Sequence, residues 1–193
     1  MAKIGFLGGT FNPPHMGHLN VAYSVMEKLD LDKVVFIPSA NPPHKENLPV
    51  SKEDRFMVAK LMIKDEPRFE ISDLEFKREG KSFTKDTLQE LKRLYPKDEI
   101  FWMIGMDSFI SIPTWEEADG ILNLCKFVVV ARKGYVCSGV PDEMISKVEF
   151  VDKLGGVDIS STKLREMIKE GQAVSAYLSP AVAEFIKEKG LYV

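Results

Sequence analysis

The chain has 193 residues, 45% hydrophobic and 28% charged, enough apolar material for one sizeable core in a single domain over 1–193. A net charge of −3 and a pI near 5.7 argue against a nucleic-acid binder, whose footprint is a basic face, but leave room for a local basic pocket. No stretch reaches the ~18 apolar residues of a membrane helix, and MAKIGFLGG is too short for a signal-peptide core, so the chain reads as cytoplasmic, with Cys125 and Cys137 as reduced thiols.

KIGFLGG, from Lys3, reads as a first, buried strand. After it His18, Val21, Ala22, Val25, Met26 and Leu29 recur at helical spacing, which predicts a helix from Met16 to Leu29. KVVFIP, from Lys33, is a second buried strand. Ser51 to Asp65 reads as a helix, with Ser51 and Asp54 placed like a capping box. FEISD is a third strand, and Thr84 to Tyr95 a helix with Leu88, Leu91 and Leu94 or Tyr95 on one face. EIFWMIG, KFVVVAR and VEFVD are further strands. Helices over Ser160 to Glu170 and Pro180 to Lys189 close the chain, the last stopped by Gly190. Leu48 to Glu53 and Lys133 to Asp142 read as exposed loops. Helices alternating with near-continuously apolar strands predict an α/β fold, a doubly wound parallel sheet covered on both faces. Such a sheet binds its ligand outside the carboxyl ends of its strands, near the switch point.

Several stretches could lie on that edge. GGTFNPPHMGH, from Gly8, occupies the turn from first strand to first helix without the glycine spacing of either standard phosphate loop. A helix N-terminus offers N–H groups and a positive dipole end to an anion. Gly8 and Gly9 let backbone approach a ligand, Gly17 leaves room for a phosphate, and His15 and His18 can point the same way. The bland alternative is a Gly/Pro turn with two structural histidines; zinc is disfavoured because no third ligand accompanies the pair. PSANPPHK, from Pro38, carries His44, the last of the three histidines, beside Lys45; it is equally a proline-stiffened loop. In ISSTKLR, Ser160, Ser161 and Thr162 could cap a helix or bind phosphate, with Arg165 one turn on. Asp107, in GMDS after Gly105, could accept from ribose hydroxyls or cap a short helix. Trp115 is a core ring or a stacking platform.

G-G-x-F-x-P-x-H-x-G-H together with I-S-S-T-x-x-R resembles the double signature of adenylyltransferases in the nucleotidylyltransferase superfamily. PSANPPHK, REGKSFTKDTLQEL, PTW, VVVARKGY and the closing GLYV are similar, within it, to the bacterial nicotinate mononucleotide adenylyltransferases. Asn12 stands where many members carry aspartate. The resemblance implies a Rossmann-like nucleotidylyltransferase fold and transfer of the adenylyl group of ATP to the 5′-phosphate of nicotinate mononucleotide. It implies His15, His18, Lys45 and Arg165 as the catalytic groups. Gly8, Gly9, Thr10, Phe11, Gly17, Gly105, Asp107 and Ser160 to Thr162 would complete the ATP site. Asn41, His44, Lys45, Thr84 and Trp115 would hold the mononucleotide. Mg²⁺ would arrive with ATP, since no carboxylate cluster suggests a site of its own. A homo-oligomer is compatible with this reading. The rivals are a phosphopantetheine adenylyltransferase, which shares both signatures, and a non-catalytic nucleotide-binding module.

Overall fold

The computed structural model describes residues 1–45, 48–115, 118–131, 137–153, 155 and 159–193. Strands β1 (Lys3–Gly9), β2 (Lys33–Pro38), β3 (Phe69–Ile71), β4 (Glu99–Gly105), β5 (Lys126–Ala131) and β6 (Val148–Asp152) form one parallel sheet in the order β3-β2-β1-β4-β5-β6. This is the doubly wound order, with its reversal between β1 and β4. The helices are α1 (Met16–Leu29), α2 (Lys52–Ile63), α3 (Thr84–Leu94), α4 (Met106–Ser111), α5 (Ala118–Ile121), α6 (Asp142–Ile145), α7 (Ser161–Lys169) and α8 (Pro180–Glu188). Among the described residues no helix is long and apolar enough to cross a membrane.

Contacts divide the chain into two compact units. The first comprises Met1–Gly8, Val21–Val35 and Phe83–Leu154. Its β1 and β4 pair in register from Lys3 opposite Glu99 to Leu7 opposite Met103, and β5 and β6 continue the sheet. Phe6, Met103, Phe127, Val128 and Val129 are all buried, as expected of strands covered on both faces. Of the two residues that could complete the apolar face of α3, Tyr95 does so: its ring meets Phe6 at 5.3 Å, while Leu94 is 52% exposed. Positions 88, 91 and 95 follow the helical period and 94 does not. Cys125 and Cys137 are free thiols, and burial pushes the Cys125 thiol up to about 12. Residues 132–136, which include the end of VVVARKGY and the start of the expected loop from Lys133, lie outside the described residues; that loop gives way to α6 at Asp142.

The second unit comprises Gly9–Asn20, Phe36–Ser82 and Gly155–Val193. Ser51 caps α2 as its sequence predicts: its hydroxyl accepts from the Asp54 N–H at 3.0 Å and donates to the Asp54 carboxylate at 2.7 Å. α2 packs against α8, and Val58 on the one and Val182 and Ile186 on the other are buried. The expectation of an exposed loop over Leu48 to Glu53 is corrected here. Val50 is buried, and Lys52 and Glu53 already belong to the first turn of α2, because an apolar residue just before a capped helix can pack back on it.

Gly8 is a point of close packing within the first unit. A Cβ added there would lie 2.6 Å from Cζ2 of Trp102, a rigid ring buried on β4. Gly8→Ala should therefore destabilise the protein by about 1–3 kcal/mol, as overpacking does. Chemical denaturation should show a lower midpoint at unchanged slope; an unchanged midpoint would mean that the glycine answers to something other than Trp102.

Candidate functional site

Pro13 and Pro14 supply no N–H donors, so neither β1 nor α1 can run on through them, and a loop over 10–15 is forced. Phe11 in this loop has φ +48, a conformation costly for a residue with a side chain and held here by burial at 1% exposure. The loop delivers His15 buried and His18 half-buried, their ring centroids 4.0 Å apart. The His15 N–H donates to Nδ1 of His18 at 3.2 Å, and the Gly17 N–H donates to Nδ1 of His15 at 3.1 Å. An Nδ1 that accepts leaves the proton of a neutral imidazole on Nε2. Both rings are thus set as Nε2–H donors, the tautomer that can serve phosphate oxygens.

The same bonds alter the expectation of open amides at the start of α1. The Met16 N–H donates to the Tyr177 carbonyl at 2.9 Å, and the His18 N–H to the His15 carbonyl at 2.8 Å. With Gly17 serving His15, the first amides of α1 are spent within the chain, and the helix presents imidazoles in their place. Gly17 has its own reason: a Cβ there would sit 2.8 Å from His15 Nδ1. Gly9 likewise has the Phe11 ring 3.1 Å from where its Cβ would be.

The second motif is tied to the first. The Ser160 hydroxyl caps α7, accepting from the Lys163 N–H at 3.2 Å. The Ser161 hydroxyl donates to the Pro13 carbonyl at 2.8 Å, and Arg165 Nη1 donates to the Asn12 carbonyl at 2.8 Å. Arg165 Nη2 donates to the Thr162 hydroxyl at 3.2 Å. The amides of Ser161 and Thr162 occupy the first two positions of α7, where no intrahelical carbonyl can reach them.

The exit of β2 belongs to the same unit. The Asn41 N–H donates to the Ser82 hydroxyl at 3.0 Å and its Nδ2 to the Gly80 carbonyl at 3.0 Å, so Asn41 is pinned to the 80–82 segment. His44 and Lys45 are exposed over much of their surface. Partial desolvation still pulls the Lys45 ammonium below the usual lysine range, and the charges of Arg165 and Arg55 pull it further. An open cavity of about 440 Å³ lies here, with Lys45, Lys52, Arg55 and Lys81 among the residues lining it. Among the described residues no acidic side chain lines it, so its potential is positive although the chain is acidic overall. Lys52, Arg55 and Lys81 were not singled out from the sequence. A lysine or arginine on a helix or in a polar turn carries no local mark of facing a cavity.

The remaining candidates belong to the first unit. Gly105 precedes α4 in extended conformation, and a Cβ there would meet nothing within 4 Å. Asp107 is exposed in the first turn of α4, and Gly105, not Asp107, holds the N-cap position. Thr84 is the first residue of α3, whose N-cap Phe83 has no side-chain hydrogen bond to offer. Trp115 is half-buried, its indole N–H donating to the Ser111 hydroxyl at 2.9 Å, which fixes the ring plane.

Comparison with known proteins adds to this geometry. Residues 6–167 match the family model described as cytidylyltransferase-like. A protein of Shouchella clausii named as a probable nicotinate-nucleotide adenylyltransferase is 40% identical over 193 residues, covering 100% of this chain and 97% of that protein. One of the same name from Thermus thermophilus is 40% identical over 191 residues, covering 98% of this chain and 99% of that protein. The structure of Plasmodium falciparum nicotinic acid mononucleotide adenylyltransferase complexed with NaAD superposes with a TM-score of 0.82 at 18% identity, covering 100% of this chain and 98% of that one. At that identity the likeness is one of fold.

The lowered proton affinity of Lys45 has a direction that can be measured. The ammonium form, which attracts phosphate, is present at neutral pH and is lost as pH rises, earlier than for an ordinary lysine. Calorimetric titration with a phosphate monoester from about pH 7 to about pH 10 should show the parent losing affinity relative to Lys45→Arg as pH rises, since arginine stays charged throughout. Taking the ratio removes the ligand's own titration. A ratio that stays flat would mean that Lys45 does not meet the anion.

Proposed function

Because this chain belongs to the cytidylyltransferase-like family, we infer that it transfers the adenylyl group of ATP to the 5′-phosphate of nicotinate mononucleotide. The products are nicotinate adenine dinucleotide and pyrophosphate, and the reaction is a step of NAD biosynthesis. The observation that carries the residue roles is the joining of the two motifs: Arg165 and Ser161 hold the carbonyls of Asn12 and Pro13, just before a histidine pair with both Nδ1 atoms engaged.

In this reading the acceptor phosphate oxygen attacks the α-phosphorus of ATP and the bond to the pyrophosphate oxygen breaks. The attacking oxygen is already ionised at neutral pH, so the protein supplies neither a base nor a covalent nucleophile. Its work is placement and stabilisation of the charge that spreads over the phosphates. The Nε2–H groups of His15 and His18 donate to the ATP phosphates, in the loop of Gly8 to Phe11 and Gly17. Ser160, Ser161, Thr162 and the planar fork of Arg165 receive the departing pyrophosphate. Lys45, with Asn41 and His44, serves the acceptor phosphate. Gly105 and Asp107 meet the adenosine ribose, and Thr84 and Trp115 the pyridine ring.

Among the described residues no group of three or more His, Cys, Asp or Glu could hold a metal ion. Mg²⁺ accompanying ATP would supply positive charge against its phosphates. The cytoplasm is the setting this reading assigns to the reaction.

A pyrophosphate-release assay with a panel of acceptor phosphates tests the reading. Turnover only with phosphopantetheine would favour the rival enzyme, and ATP binding with no pyrophosphate from any acceptor would favour a binding module. Nicotinate mononucleotide should be preferred over the carboxamide by roughly a hundredfold or more. A carboxamide would set its own donors against the N–H groups at the start of α3, at about 1–3 kcal/mol each. Trp115→Ala should weaken both acceptors and leave their ratio alone. Comparable kcat/KM for the two acceptors in the parent would defeat the carboxylate site.

His18→Ala should lower turnover on the order of a hundredfold or more, as loss of a preorganised donor does, with the melting temperature little changed. Near-parental turnover in the folded variant would make His18 a structural residue.

A further inference from the structure

Arg55 is 1% exposed, the most thoroughly buried cation of the site, and no motif includes it. It lies in the first turn of α2, its N–H donating to the Ser51 carbonyl at 3.1 Å, so the capped helix end fixes where its side chain starts. Its Nη1 donates to the Thr10 carbonyl at 2.8 Å and to the Ser39 carbonyl at 2.6 Å. Its Nη2 donates to the Ala40 carbonyl at 3.0 Å. Thr10 is the first residue after β1, on the way to His15 and His18. Ser39 and Ala40 are the first residues after β2, on the way to Asn41 and Lys45. One planar group therefore joins the two loops, which are also linked where the Ser39 N–H donates to the Gly9 carbonyl at 2.8 Å.

We propose that Arg55 is a positioning residue for adenylyl transfer, holding the loops after β1 and β2 at one fixed separation through three carbonyls. Two physical consequences follow. First, the spacing between the histidine pair and the 41–45 segment is set by a rigid fork, not by mobile loop backbone. Second, carbonyl oxygens drawn to Arg55 are turned away from the phosphates they would repel. Arg165 and Ser161 do the same for the carbonyls of Asn12 and Pro13, so the loop oxygens of residues 10, 12, 13, 39 and 40 are all held by side-chain donors. Both N–H groups of Nη1 and one of Nη2 are taken by carbonyls and the side chain is 1% exposed, so Arg55 acts through the loops and not as a phosphate ligand. Lysine keeps the charge but cannot span three acceptors on two loops with one ammonium.

The proposal rests on the adenylyl-transfer reading, and its test separates the two. Turnover and KM are measured for the parent, Arg55→Lys and Val58→Ala, all well below their melting temperatures. Val58 is fully buried on the same helix and its aliphatic side chain has no donor for a loop carbonyl, so Val58→Ala reports destabilisation alone. Arg55→Lys should lose turnover on the order of a hundredfold, the cost of an ångström-scale misplacement. KM for ATP should stay within about threefold, the split expected when transition-state contacts are lost but ground-state binding is kept. Val58→Ala should keep parental turnover. Arg55→Ala should regain part of its turnover on addition of millimolar guanidinium, which can refill the fork's place. An Arg55→Lys enzyme with parental turnover overturns the proposal. So does an equal loss in Val58→Ala, and so does failure of both Arg55 variants to fold, since the residue would then serve the fold alone. A parent that releases no pyrophosphate would instead overturn the functional reading.

Discussion

A guanidinium is costly to bury and stays charged inside a protein, so it must be met by acceptors wherever it lies. In the second unit that requirement falls on Arg55: backbone carbonyls of two loops meet Nη1 and Nη2, while Nε is buried with no hydrogen-bond partner among the described residues. Burial is the larger influence and opposes its charge, while the carboxylates of Glu53 and Glu75 favour it. Tyr192 has its own proton held more tightly by burial, with Arg55 and Arg165 pulling the other way. The last residues of the chain are thus part of the surroundings of the two arginines. Once α2 is capped and Arg55 is inside, loop conformations that leave Nη1 and Nη2 unmet are disfavoured.

The histidine pair solves a related problem. A helix start has amides that need acceptors. Here a histidine side chain and two carbonyls take them, and the positive end of α1 is passed on to two rings with defined tautomers. A ring can extend further from the backbone than an amide, and its Nε2–H can reach a ligand that the first turn of a helix cannot. The Phe11 ring edge-on to His18 at 5.1 Å helps to hold that orientation. The arrangement requires a residue without a Cβ at position 17 because the His15 ring folds over it.

Charge balance over the whole chain and charge at the site point in opposite directions. The acidic surplus is spread over exposed positions in ion pairs such as Lys77–Asp73 and Lys147–Glu143, which contribute little individually. Burial, and then the nearby charges of Arg165 and Arg55, depress the proton affinity of Lys45. Like charges held together in this way are destabilising by themselves and would be relieved by a bound anion.

Much of this was legible in the linear chain. The bounds of β1, α1, β2, β4 and β6 agree with the runs read from apolar periodicity, and Ser51 and Asp54 form the cap their spacing predicts. These features depend on residues within a turn or two of one another, so local composition determines them. The grouping of Gly8–His18 with Ser160–Arg165 was legible through resemblance, and the geometry supplies its cause in the bonds to Asn12 and Pro13. Other features had no local signal: Arg55 as the link between two loops, and Trp102 as the reason for Gly8. Each depends on a partner far along the chain, 45 residues away for Arg55 and Thr10, and 153 for Arg165 and Asn12. Which side chain a carbonyl or a glycine meets is settled only when the strands and helices pack, because hydrogen bonds and close contacts act over a few ångströms of space, whatever the separation in sequence.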